Sequence, residues 1–210
     1  PHYWQETKDG QKYPYVKRWV REIVDSTETQ VLKFEQQKVD FIGVPNKDYR
    51  RLKKKSEQPN NKYDVVNAGP TFSSNFVVFN MNPRNPELDK KPWKLDWFTN
   101  LHFRRAVAHA VDRDTIAEQV FAGLADPQWS PVSNPNKQFL NKDVRRYPYD
   151  LAKAREELKE GGFSWNDTEQ LVGPNGHRVE FNFVTNAGNK EREAMLNIRS
   201  EERRVGKECT

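Results

Sequence analysis

Cysteine is nearly absent from this chain of 210 residues: there is one, Cys209, second from the C-terminus. Residues 1–198 therefore hold no disulfide and no thiolate metal site, and a body without thiols suits an oxidising compartment. Apolar residues are also scarce, at 35%, although 12% aromatics compensate in part. The longest uncharged span, 65–83, carries Asn, Gly, Pro and Ser throughout, which excludes a membrane-spanning helix there. Catalytic signatures are missing too. There is no GxSxG elbow, no GxGxxG, no phosphate-binding Walker loop and no HExxH. The four histidines are His2, His102, His109 and His177; only His102 and His109 share a helical face, and no cysteine or paired carboxylate joins them at ligand spacing. The expectation is two partly exposed histidines, no metal site, no cofactor and no catalytic residue.

Charge is plentiful and mixed. Charged residues make up 31% of the chain with a net charge of +5, and the signs are interspersed, as on a well-solvated surface. The one basic run, RRLKKK at 50–55, includes Leu52 at helical spacing and reads as a solvated helix face. No nucleic-acid partner is expected.

The stretch that organises the chain is 102–131, HFRRAVAHAVDRDTIAEQVFAGLADPQWSP. Phe103, Val107, Ala110 and Val111 recur at helical spacing; Asp112 then interrupts as an N-cap type before Ile116, Val120 and Phe121. Gly123 supplies the stop, and a Pro-punctuated loop carrying Trp129 follows. Upstream, Asp25 with Glu28 makes a D-x-x-E capping box for a helix burying Val31, Leu32 and Phe34. A short helix is expected over 47–55. Strand composition marks 16–24, 39–44, 63–67, 76–81 and 179–185, with 76–81 apolar on both faces and therefore central. The connection 82–101 reads as an irregular loop whose Trp93, Trp97 and Phe98 pack outside the core. Asp150 caps a helix over 151–160 ended by Gly161 and Gly162, with Phe163 packing back; Asn175-Gly176 is a hairpin-type turn, and a last helix begins near Glu191.

Alternating strands and helices imply α/β layers. The order of segments is more specific. A strand ending FNM at 79–81, an NP turn, FRRAVAHAVDRDTIAEQVFAGLA, a Ser-Pro loop and YPYDLAKAREELKEGGF together resemble the family 5 extracellular solute-binding proteins, the peptide, dipeptide and nickel receptors of ABC importers. The resemblance runs from about Tyr3 to Ile198. It implies a two-lobed periplasmic-binding-protein type II fold. Residues 1–145 are then the first-lobe region with its N-terminus missing, and 146–198 the start of a truncated second lobe. Residues 199–210, RSEERRVGKECT, resemble the translation of a sequencing adapter and are expected to be foreign.

The resemblance also implies a binding protein, not an enzyme. It would hold peptide in an interlobe cleft largely through the peptide backbone, pass it to ABC permease subunits, act as a monomer, and work in the periplasm or at the extracellular face, anchored by a segment before Pro1. Nickel, haem or oligosaccharide remain alternative ligands, and an α/β hydrolase or transferase domain is the second alternative. The loops expected to border the cleft are 70–75, Asn80 and its neighbours, 128–130 and 185–189. From them Trp129, Asn80, Ser130, Asn186 and Asn189 are the candidate ligand-binding residues. Trp129 can equally cover the organising helices, and Asn186 and Asn189 can equally cap the last helix.

Overall fold

The computed structural model describes residues 4–85 and 90–198. The tail at 199–210 lies outside the described residues. By their contacts the residues form two compact units, Pro1–Pro45 and Asn46–Thr210, so the lobe boundary expected after residue 145 falls inside the second.

In the first unit one helix forms, α1 (Thr27–Glu35). Its cap is Ser26 and not Asp25. Ser26 Oγ accepts from Thr29 N at 3.3 Å and donates to Glu28 Oε2 at 2.9 Å, so the cap is shifted by one residue from the expected D-x-x-E. Val31 is buried, whereas Leu32 is exposed. The Gln30 amide donates to Val24 O at 2.7 Å, and Trp19 lies 6.4 Å from Phe41.

The second unit is built on helices: α2 (Asn46–Ser56), α3 (Trp93–Thr99), α4 (Leu101–Ala110), α5 (Arg113–Gln119), α6 (Leu151–Glu160) and α7 (Lys190–Asn197). Helix α2 buries Leu52 beneath its basic face, as its spacing requires. Asp112 caps α5, its carboxylate accepting from Thr115 N at 2.9 Å and from Thr115 Oγ1 at 2.7 Å. Asp150 caps α6 through Lys153 N at 3.0 Å. Gly161 and Gly162 end that helix, with Gly162 at φ +81°, and Phe163 folds back into the core. Between the Gly162 turn and α7 lies a two-stranded antiparallel hairpin, β1 (Ser164–Trp165) with β2 (Leu171–Val172). Val172 also bridges Arg178 across the expected Asn175-Gly176 turn.

The core sits where α4 packs against α6, and α3, packed on α4, adds its two aromatics to it. Trp97, Phe98, Phe103, Ala106, Ala154, Leu158 and Phe163 are its buried members. Phe103 is its hub, with ring centroids of Phe163, Phe79 and Phe181 at 5.3, 5.8 and 6.0 Å. The expectation that Trp97 and Phe98 lie outside the core is thus overturned: Trp97 is 1% exposed and Phe98 8%. The segment that holds them is a helix. In WKLDWFT the two are adjacent and both are buried in the same cluster.

The five expected strands do not form ladders among the described residues. Within 76–81 only Phe79 packs into the core; Phe76 and Val78 are 78% and 73% exposed. In the first unit Trp19, Val20 and Ile23 are exposed as well. Composition favours a pleated, half-buried surface, but a strand exists only where a neighbour supplies a run of N–H and C=O partners; of 179–185, Val179 alone is seen to gain one, its N–H donating to Leu171 O at 2.8 Å.

Candidate functional site

The junction between α4 and α5 holds the first of the candidate residues, Trp129. Arg113 opens α5 and turns back over the C-terminal end of α4. Its Nη1 donates to Ala108 O at 2.9 Å, and to Val111 O and Tyr147 O at 3.3 Å each. Ala108 O and Val111 O are carbonyls that the end of α4 leaves without intrahelical partners, so a cation is well placed there, and Tyr147 O joins them from a loop. Burial lowers the pKa of Arg113 below the ordinary arginine value, and the Asp114 carboxylate opposes that shift. The guanidinium also lies 4.9 Å from the centroid of Trp129. Trp129 is half-buried and braces the scaffold through this contact. Ser130, beside it, accepts from Val132 N at 3.1 Å through its hydroxyl, and its carbonyl accepts from the Gln128 amide at 2.5 Å.

A second group gathers around Arg192 on α7. Asn189 is the N-cap, accepting from Arg192 N at 3.0 Å. Asn186 Oδ1 accepts from Arg192 Nη1 at 2.9 Å, and Asn75 Oδ1 from Arg192 Nε at 3.4 Å. Two loops expected to border a cleft, 70–75 and 185–189, are therefore tied to one guanidinium. Asn80 stands apart; its side chain accepts from Asn82 N at 3.1 Å in a tight local turn. The candidates thus fall into three places: Trp129 with Ser130, Asn186 with Asn189, and Asn80 alone. Each already has a local structural role. What remains open on these segments is backbone: 76–81 and 181–184 carry the exposed Phe76, Val78 and Val184 and are not laddered to a strand among the described residues. Such edges can pair with an extended chain through N–H and C=O groups.

The histidines separate. His109, expected to be partly exposed, is 6% exposed; its Nδ1 lies 2.7 Å from Pro148 O, and its ring meets Tyr147 edge-on. His102, in the first turn of α4, faces α6. Its Nδ1 lies 2.7 Å from Glu157 Oε2 and 3.3 Å from Glu160 Oε2, with Arg105 Nη1 4.0 Å from Glu157 Oε2. The sequence offers one half of this cluster, two glutamates three apart on one face of α6, but not the histidine 55 residues away.

Comparison with known proteins places these features. The chain is 27% identical, over 97% of its length, to a probable ABC transporter-binding protein of Deinococcus radiodurans, of which it covers 34%. It is 26% identical over 90% of its length to the oligopeptide-binding protein AppA of Bacillus subtilis, covering 32% of that protein. It is 27% identical over 78% of its length to the heme-binding protein A of Haemophilus influenzae, covering 25%. The structure of AppA in complex with a nonapeptide superposes with a TM-score of 0.59 at 24% identity, over 88% of this chain and 33% of that one. The fold is therefore the periplasmic-binding type II fold of that protein, and the chain spans about a third of the length of the relatives it matches. The family model for bacterial extracellular solute-binding proteins, family 5 (middle region), matches residues 1–206, running past Ile198 into the stretch read as foreign. The chain belongs to the family 5 bacterial extracellular solute-binding proteins.

Proposed function

We propose that the protein carrying this chain is the substrate-binding subunit of an ABC importer for oligopeptides or dipeptides. It captures them in an interlobe cleft and delivers them to the permease. The observation that carries this reading is the similarity to an oligopeptide-binding protein over 90% of the chain. The unladdered segments at 76–81 and 181–184 support it, because peptide held as an added strand needs main-chain partners more than signature side chains. In this reading residues 1–145 belong to the first lobe and 146–198 begin the second. The protein is monomeric and non-catalytic, and it works in the periplasm or at the extracellular face of the membrane. Trp129, Ser130, Asn80, Asn186 and Asn189 border the ligand mainly by holding their loops in place.

The test is native mass spectrometry of the complete gene product, purified from a periplasmic expression host. A ladder of adduct masses matching short peptides is expected. A single adduct of haem, nickel or sugar mass would keep the family and overturn the peptide reading. No adduct, with no thermal stabilisation by added peptides, would overturn ligand capture itself.

A further inference from the structure

Among the described residues, His102, Glu157 and Glu160 are the group whose potential ligand atoms converge, all within 4.8 Å of one another. We propose that they form a binding site for a first-row divalent cation of the zinc type, joining the start of α4 to the end of α6. The donor set is one imidazole nitrogen and two carboxylate oxygens, which suits borderline divalent ions with a coordination position left for water. Such an ion sits about 2.0–2.2 Å from each nitrogen or oxygen ligand, so ligands around it stand roughly 3–3.5 Å apart. Of the separations from His102 Nδ1, the 3.3 Å to Glu160 already has that spacing, and the 2.7 Å to Glu157 is a hydrogen-bond contact that opens by a few tenths of an ångström when an ion replaces the shared proton.

Three features make this a built site. Glu157 and Glu160, three apart on α6, project from the same face. The two helices are locked at this point. Asn100 caps α4 through His102 N and Phe103 N at 3.0 and 3.2 Å, and donates from Nδ2 to Gly161 O at 2.9 Å. A Cβ on Gly161 would lie 2.9 Å from His102 Cβ, so glycine is what lets the histidine approach the helix end so closely. Exposure is graded in the way an ion needs: Glu157 is 13% exposed and anchors the floor, while His102 and Glu160 are 34% and 57% exposed and leave a path from solvent. Two carboxylates offset the ionic charge. Arg105, 4.0 Å from Glu157 Oε2, opposes the ion and keeps the affinity moderate. The competing description is a hydrogen-bonded helix clamp that binds nothing.

The experiment is zinc titration of the chelator-treated complete gene product, followed by cobalt substitution read in the visible absorption spectrum. It compares wild type, Glu160→Gln and His102→Ala. The proposal expects saturable zinc binding with micromolar affinity, a cobalt spectrum of low coordination number, and loss of one equivalent in His102→Ala. In Glu160→Gln the affinity should fall by more than about 10-fold, the least that even residues behind the ligands typically contribute. Glu160 is mostly exposed, so the unfolding midpoint of that variant without metal should match wild type. Zinc stoichiometry and affinity unchanged in both variants, or no saturable zinc binding by wild type, would leave only the clamp. Peptide capture plays no part in this readout, so the site stands or falls apart from the transport reading.

Discussion

Asn100 does two things with one side chain, and replacing it separates them. Its Oδ1 accepts from His102 N and Phe103 N, capping α4, while its Nδ2 donates to Gly161 O at the end of α6. Asn100→Ala removes both. The cap is worth about 1 kcal/mol, and a partly buried carbonyl left without its donor costs about 1–2 kcal/mol more, near the low end because water reaches this edge. The sum is about 2–3 kcal/mol. Asn100→Ser keeps a cap of similar quality but is too short to reach Gly161, so it should lose only about 1–2 kcal/mol. Hydrogen exchange over α4 and α6 reads the loss locally, without requiring all-or-none unfolding of a large protein. At about 1.4 kcal/mol per tenfold change, protection should fall about 30- to 150-fold in the alanine variant and about 5- to 30-fold in the serine variant. Equal losses in the two would show that the cap contributes nothing. Protection unchanged in both would refute the account of Asn100 as the lock between these helices.

Two further substitutions, each paired with a control, test the core. Phe103→Ala should cost about 3–5 kcal/mol in chemical unfolding, because the ring is 2% exposed and meets Phe79, Phe98, Phe163 and Phe181. Leu101→Ala on the same helix, at a site 48% exposed, should stay within about 0.5 kcal/mol. Gly173→Ala should lower the unfolding midpoint clearly, since its Cβ would fall 2.2 Å from Trp97 Nε1 and displace a buried indole from Asn175. Gly43→Ala, with nothing within 4 Å, should be neutral or slightly stabilising in the same measurement.

The helices from α4 onward were legible in the sequence because their signals are local. Asp112 and Asp150 cap where a short acidic side chain precedes an apolar period, Gly161 and Gly162 stop α6, and Asn189 caps α7. Family membership was legible for a related reason: the order of such segments is itself a pattern. The burial of Trp97 and Phe98 was not, since a seven-residue helix between prolines and charges carries too short a period to show its face. The strands at 76–81 and 179–185 were misjudged because β pairing belongs to two segments at once. Apolar composition marks a candidate, and only a partner within reach makes it a strand.

The candidate residues divide along the same line. Capping by Asn189 follows from residue type and position. The seat of Trp129 under Arg113 depends on a chain reversal that no spacing encodes. The meeting of His102 with Glu157 and Glu160 was likewise decided only in three dimensions. The sequence alone determined that α4 and α6 exist and which residues lie in their terminal turns. Their packing, set by Phe103 against Phe163 and by the approach Gly161 permits, brings a histidine and two carboxylates together, because side chains 55 residues apart meet only when a shared core fixes both helices.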